Sequence, residues 1–264
     1  MDSNVKISVV IPAYNVQNSI ISCLNSVLAQ TINISEIIII NDGSTDTTEK
    51  VCLEYKKLKH LDNLKVISQI NSGPSKARNV GVKESTGNWI AFIDSDDKWK
   101  PEKVEKQLAI LEQNPDCKLI GTLKHNESKN ISLITLYNKI TFRSMLFKNS
   151  FFTSSVIIQK DIFMKFRFDE LKKYAEDYKL WLQVIYSYKG LVLNEGLIYY
   201  EIPDKKEKQK SLSSKLWKME MGVLDNFCFL YKMKMINIFE FLFATSFSFI
   251  KFQRRIVKYI LNTI

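Results

Sequence analysis

Three carboxylates fall within four residues, Asp94, Asp96 and Asp97, directly after the apolar run Trp89 to Ile93. Two like unit charges about 4 Å apart repel by about 4 kcal/mol at an effective dielectric near 20, so such a cluster favours a cation. Hard divalent ions such as Mg²⁺ and Mn²⁺ accept this kind of site, using one or two carboxylates together with substrate phosphates. The bland alternative is a solvated acidic turn ahead of the next helix, with Pro101 near its first position. A second acid pair, Glu176 and Asp177, opens the stretch AEDYKLWLQVIYSYKG, where its bland role is to satisfy the positive end of a helix dipole.

The elements that must position these acids follow from apolar patterning. A short continuous apolar run such as Trp89 to Ile93 reads as a buried strand of a parallel sheet, and ligands of open α/β sheets bind beyond the carboxyl ends of the strands. KISVVIPAYN predicts a strand over Lys6 to Ile11 stopped by Pro12, followed by an amphipathic helix through Ile20, Leu24, Val27 and Leu28. EIIIINDGSTDTTEKVCLEYKKL repeats strand, turn and helix, and LKVISQ with GPSKARNVGVKESTG does so again. Strands alternating with helices at this interval imply βαβ units, so residues 1–100 form a Rossmann-like, nucleotide-binding half with a mostly parallel sheet. Neither GxGxxG nor GxxxxGK[ST] occurs, which removes the phosphate cradles of dinucleotide and P-loop proteins.

In the second half, PEKVEKQLAILEQNP predicts a helix and CKLIGT a strand. ITFRSMLFKN reads as a short helix, TSSVIIQK as a strand and KDIFMKF as another short helix. AEDYKLWLQVIYSYKG is a longer helix, and LVLNEGLIYYEI a final strand pair. Lys124 to Asn130 and Asp204 to Lys210 read as loops, and beyond Ser211 the chain looks helical. The expected organisation is α/β: a second half over residues 101–210 follows the nucleotide half, and residues 211–264 form a basic amphipathic helical extension.

With 45% hydrophobic and 25% charged residues in 264, wholesale disorder is excluded. The four cysteines, Cys23, Cys52, Cys117 and Cys228, match no zinc or redox spacing, which points to a reducing cytosol. The N-terminal residues run into a strand without a signal-peptide pattern, and no uncharged apolar run approaches a membrane span. The net charge is +10; from Tyr200 onward 12 Lys/Arg stand against 6 Asp/Glu, so the basic excess is concentrated in the last quarter. No recognition motif for nucleic acid accompanies it.

ISVVIPAYN, IIIINDGSTD, AFIDSDD and AEDYKLW, in that order, resemble glycosyltransferase family 2, the inverting GT-A enzymes that use nucleotide-diphospho-sugars. The resemblance covers roughly Ile7 to Trp181. Each motif alone is weak, but the ordered set on predicted strand ends is specific. It implies Mn²⁺ or Mg²⁺ held by Asp96, with Asp94, Ser95 and Asp97 at the donor. It implies Pro12, Ala13 and Tyr14 around the nucleoside, Asp42 near the uracil ring, and Lys76 and Arg78 on the diphosphate, Arg78 being the stronger candidate. Asp177 matches the family's base for the acceptor hydroxyl, with Glu176 beside it. The implied reaction moves a hexose, glucose or galactose by family frequency, from a UDP-sugar to a saccharide acceptor, with a β-linked product in bacterial surface polysaccharide synthesis. An acceptor on a polyprenyl diphosphate is expected, as is a cytoplasmic protein peripheral at the inner membrane face.

One departure concerns the Tyr-Arg-x-His stretch that closes many catalytic domains of this family. The matching YYEIPDKKEKQKSLS has no histidine, and His60 and His125 fall in stretches that read as loops. Lys251, Arg254, Arg255 and Lys258 alternate with Phe252, Ile256, Val257 and Ile260, a basic amphipathic helix suited to an anionic membrane interface or to packing on the catalytic domain. Two rivals stand beside the transferase: a nucleotidyltransferase, which would want a glycine- and lysine-rich loop where PAYNVQN stands, and a non-catalytic nucleotide-sugar-binding member.

Overall fold

A computed structural model describes residues 5–125, 135–199 and 215–261. Four parallel strands build the first half: β1 (Ile7–Ala13), β2 (Glu36–Asn41), β3 (Leu64–Ser68) and β4 (Trp89–Phe92). Helices α1 (Ile20–Leu28), α2 (Thr48–Leu58) and α3 (Pro74–Lys83) connect them. Both sheet faces are covered, so the central positions of β1, β2 and β4 are apolar on both faces. Val9, Ile11, Ile37 and Ile39 join one core cluster, whereas Val10, Ile90 and Phe92 join a second on the opposite face. Each such side chain contributes roughly 1.5–3 kcal/mol on burial.

β1 runs to Ala13, two residues past the predicted stop at Ile11. Val10 accepts from the Ile93 amide, so Pro12, two residues on, turns its missing N–H to the same side, beyond the end of β4. The proline therefore sits where the β1–β4 ladder has already ended, and it costs little.

The second half adds β5 (Lys98–Trp99), α4 (Lys103–Gln113), β6 (Cys117–Lys124), β7 (Tyr137–Ile140), α5 (Phe142–Met145), β8 (Ile157–Gln159), α6 (Lys160–Phe166), α7 (Glu176–Ser187) and β9 (Lys189–Tyr199). The described sheet runs β3-β2-β1-β4-β8-β6-β9-β5, with β7 on β9. β8 is antiparallel to both β4 and β6, and the parallel order of the first half ends there.

In the second half, three further predicted elements differ. LVLNEGLIY is one strand, not a pair, and the rest of that predicted pair lies outside the described residues: Thr122 pairs with Leu193 and Leu123 with Gly196, so Asn194 and Glu195 are absorbed as a bulge. Asn194 Nδ2 donates to Thr135 O at 3.0 Å and Glu195 pairs with Lys106 at 2.5 Å, which stabilises the extra residues. ITFRSMLFKN begins with the last residue of β7 and keeps only α5, started by a Thr141–Ser144 capping box. TSSVIIQK is a 3₁₀ turn (Thr153–Ser155) before β8, because Ser154 in that turn bonds Asp94 and Asp97.

The C-terminal helices are α8 (Leu216–Lys232) and α9 (Ile238–Leu261). Phe227 and Leu230 of α8 and Ala244 of α9 belong to the second core cluster, so both helices pack against the sheet-bearing part of the chain. α9 buries Ala244, Ser248 and Phe252 and leaves Phe239, Leu242, Phe243 and Ile250 exposed. No helix among the described residues is long and apolar enough to cross a membrane.

Candidate active site at the ends of β4 and α7

The chain leaves β4 into Asp94 and its neighbours, and what fixes them comes from across the sheet. Ser154, fully buried in the 3₁₀ turn, donates its hydroxyl to Asp97 Oδ2 at 2.5 Å and accepts from the Asp94 amide at 3.0 Å. Its carbonyl accepts from Trp99 Nε1 at 2.7 Å, pinning the end of β5 to the same point. The three acids thus separate by environment: Asp97 is buried, Asp94 is partly exposed and Asp96 is exposed. Burial, then the charge of Asp94, pushes the Asp97 carboxyl up to about 8 against the pull of Ser154.

Arg78, on α3, joins these acids to α7. Its Nη2 lies 2.6 Å from Asp94 Oδ1 and its Nη1 3.6 Å from Glu176 Oε1. The guanidinium is buried and stacks over Phe168 at 5.3 Å. Burial would lower its pKa, but Asp94 and then Glu176 hold it above its ordinary value. Phe168 in turn contacts both Phe92, the last residue of β4, and Trp181 of α7, with centroids 5.6 and 5.8 Å apart. One aromatic cluster therefore locks the two acid-bearing elements together.

Glu176 and Asp177 open α7 after Ala175, which is held at φ 55° in the left-handed region. That strained residue is braced by α8: Asn226 Nδ2 donates to Ala175 O at 2.9 Å. A Cβ on Gly222 would come within 2.6 Å of Tyr174 O, so only glycine lets α8 approach this closely. Asp177 accepts from the Tyr178 amide at 2.6 Å and from Asn149 Nδ2 at 3.2 Å. Burial raises the pKa of both acids, Glu176 to about 7 with the charge of Asp177 adding to it, while Arg78 pulls both down. Asp177 lines a cavity of about 320 Å³ together with Lys124, Lys148, Asn149 and Phe152.

The profile of glycosyl transferase family 2 matches residues 8–171. The chain belongs to glycosyltransferase family 2. It is 31% identical to the glycosyltransferase GlyA of Streptococcus pneumoniae over 230 residues, 80% of this chain and 32% of that protein. It is 29% identical to WfgD of Escherichia coli, a UDP-Glc:α-D-GlcNAc-diphosphoundecaprenol β-1,3-glucosyltransferase, over 80% of this chain and 81% of that one. The chain thus spans about a third of the length of GlyA but most of WfgD.

Among solved structures, Staphylococcus aureus TarS with UDP-GlcNAc superposes with a TM-score of 0.65 at 21% identity, covering 84% of this chain and 66% of that one. The Pyrobaculum calidifontis mannosyltransferase PcManGT with GDP-Man and Mn²⁺ gives 0.69 at 14% identity, over 88% and 65%. The family 2 chain has the GT-A fold that the motifs implied.

The loop that matches the family 2 nucleoside motif follows β1. Pro12 and Ala13 end that strand, and Tyr14 is 48% exposed beyond them. Asn15, at φ 54°, accepts from the Thr45 and Asp46 amides at 2.8 and 3.3 Å, tying this loop to the NDGSTD turn. Asp42 is buried and already has three partners: Gln69 Nε2 at 2.7 Å and the Ser72 amide at 2.9 Å on Oδ1, and the Gly73 amide at 2.8 Å on Oδ2. Its observed work is to hold the 69–73 loop, with one acceptor position of Oδ2 left. Lys76 is exposed, two residues before Arg78 on α3.

The carboxylate oxygens at the end of β4 are the donor type a hard cation takes, and of the three acids Asp96 is the exposed one. Among the described residues no three acids, histidines or cysteines converge to hold one unaided. Asp96 would supply one oxygen to such an ion and substrate phosphates the others. Both histidines are exposed, His60 after α2 and His125 against the Tyr199 ring at 4.7 Å. The stretch aligned with the missing family histidine lies almost wholly outside the described residues.

Ser154, Asn149 and Asn226 carry little signal in the sequence. The only mark of Ser154 is a polar TSS run interrupting an apolar segment. Nothing local distinguishes an asparagine that serves an acid 28 residues away.

Proposed function

We propose that this glycosyltransferase inverts configuration while transferring a hexose, glucose or galactose, from a UDP-sugar to a saccharide acceptor carried on a polyprenyl diphosphate. The observation that carries the proposal is the Arg78 bridge that brings Asp94, after β4, to Glu176 at the start of α7, next to Asp177. The WfgD name gives a relative of similar length with such a donor and acceptor. The UDP-GlcNAc complex of TarS gives a uridine nucleotide on the same fold.

In this reading Asp177 removes the acceptor hydroxyl's proton. Its raised pKa suits the work, since a base titrating closer to neutral pH is both ionised and able to take a proton. Asn149 and the Tyr178 amide fix the carboxylate's orientation. Arg78 is a positioning residue: it aligns Asp94 for the donor and balances Glu176, which leaves Lys76 as the exposed cation available to the diphosphate. Asp96, with Asp97 behind it, would hold Mn²⁺ or Mg²⁺. When bound, the ion supplies Lewis-acid charge to the leaving diphosphate. Pro12, Ala13, Tyr14, Asp42 and Ser95 line the donor side, Asp42 mainly through the loop it holds. Attack opposite the leaving group turns an α-linked donor into a β-linked product.

The protein would work at the inner face of the bacterial cytoplasmic membrane, in surface polysaccharide synthesis. The exposed Phe239 and Phe243 and the cations of α9 support that location. The direct test is Asp177→Asn, which should keep UDP affinity within a factor of about two and lose transfer by about 100-fold or more. Near-normal transfer would assign the proton to another group.

A further inference from the structure

A cavity of about 790 Å³ opens between α7, α8 and α9. Four cations of α9 line it: Lys251, Arg254, Arg255 and Lys258. Among the described residues no acidic side chain lines it. The nearby acid is Glu220, fully buried, which accepts from Ser248 Oγ at 2.6 Å and pairs with Arg255 Nη2. Arg255 Nε is also buried and has no hydrogen-bond partner. Lys251 donates to Phe147 O, and burial, then the charge of Arg255, lowers its pKa. Crowded like charges beside an unsatisfied buried donor describe a place for an anion.

The cavity leads to the acceptor side. Asn149 lines both this cavity and the smaller one that holds Asp177, and Tyr178, the residue after that carboxylate, lines the larger one. It also adjoins an apolar groove of about 600 Å³ through a shared residue, Leu146. Phe147, Phe239, Leu242 and Phe243 line that groove. A proton acceptor, a basic cavity and an aromatic groove thus follow one another along the surface.

We propose that the basic cavity binds the phosphate groups of the acceptor, with the apolar chain that carries them laid in the adjoining groove. The proposal rests on the transferase reading above, because it takes Asp177 as the place where the acceptor sugar sits. It adds a recognition site made by α9, outside the segment matched by the family profile. Arg254 and Lys258 are exposed and would meet the phosphates directly, Arg254 with a planar fork matched to phosphate oxygens.

The test uses the full chain and octyl diphosphate in calorimetry, with UDP present to fill the donor site. Wild type should bind octyl diphosphate under those conditions. The double variant Arg254→Gln, Lys258→Gln, changed only at exposed positions, should bind it about tenfold or more weakly, which is the loss of about 1.4 kcal/mol. Inorganic diphosphate should bind at least about tenfold more weakly than octyl diphosphate, because it lacks the groove contact. In transfer assays the double variant should raise KM for a diphosphate-linked acceptor and leave KM for the same sugar on an octyl glycoside unchanged. Binding abolished by UDP, equal binding by wild type and variant, or equal affinity for inorganic diphosphate would each overturn the proposal. So would loss of binding to anionic vesicles alone, which would make α9 a membrane face. If octyl diphosphate binds as described but no UDP-sugar is transferred, the donor assignment fails and this site stands.

Discussion

Arg78 Nη2 lies 2.6 Å from Asp94 Oδ1, and the same guanidinium reaches Glu176 at 3.6 Å. The arginine that the motif pattern assigned to the diphosphate is therefore buried between two acids, one at the end of β4 and one at the start of α7. Removing it leaves two carboxylates facing each other without a counter-charge.

Arg78→Lys keeps the charge but cannot span both acids, and transfer should fall by roughly 10–100-fold with the fold retained. Arg78→Ala should in addition destabilise the protein by about 3–5 kcal/mol, the cost of stranding buried charge. Urea unfolding monitored beside transfer rates separates the two effects. A wild-type rate in Arg78→Lys would remove the bridging role.

The base assignment has a pH signature. A carboxyl raised by burial is protonated, and inactive as a base, at pH values where an ordinary aspartate is ionised. The acid limb of kcat/KM should therefore lie above the usual carboxylate range. Asn149 donates to ionised Asp177 and lowers its pKa, so Asn149→Ala should move that limb to higher pH as well as slow the reaction. A limb that stays in place would show that Asn149 has no hold on the titrating group.

The C-terminal helix α8 should matter to catalysis through Tyr174 and Ala175. Gly222→Ala forces a methyl against the Tyr174 carbonyl and so displaces the start of α7. Transfer should drop by about tenfold or more while UDP affinity, set by β1 to β4, stays near wild type. Equal loss of both would mean that the substitution disturbs the whole fold.

Stability should depend on Glu36, far from the acceptor. Its buried carboxylate accepts from Ser8 at 2.6 Å, Lys65 at 2.8 Å and the amide of Thr86, tying β2 to the turn before β4. Burial works against ionisation, but these donors hold the pKa down at about 2. A depressed carboxylate contributes fully above its unfolded pKa near 4.5 and loses that contribution as pH falls toward 2. Glu36→Gln should cost about 2–3 kcal/mol at pH 7 and little near pH 2, measured by urea midpoints. The same deficit at both pH values would point to packing instead.

The first hundred residues were legible in the sequence because parallel strands announce themselves: Ile37 to Ile40 and Trp89 to Ile93 are apolar throughout since both faces are covered. The acids followed, as they lie at strand ends. The second half resisted for a different reason. Asn194 and Glu195 look like a hairpin turn, and only the neighbouring strand's register makes them a bulge. Ser154 and Asn149 act on acids 57 and 28 residues away in sequence, so no local period marks them. Arg78 was legible as a basic residue near the donor, but its partners depended on where α7 begins. That start is set by α8, beyond the motif-bearing region.

The measurement that tests the central claim most directly is transfer from a panel of UDP-sugars to GlcNAc on an alkyl diphosphate, run with Mn²⁺ and again with EDTA. One UDP-hexose should turn over with metal, fall silent with EDTA, and be lost in Asp177→Asn while UDP still binds. Turnover that survives both EDTA and Asp177→Asn would contradict Asp96 as the metal ligand and Asp177 as the base.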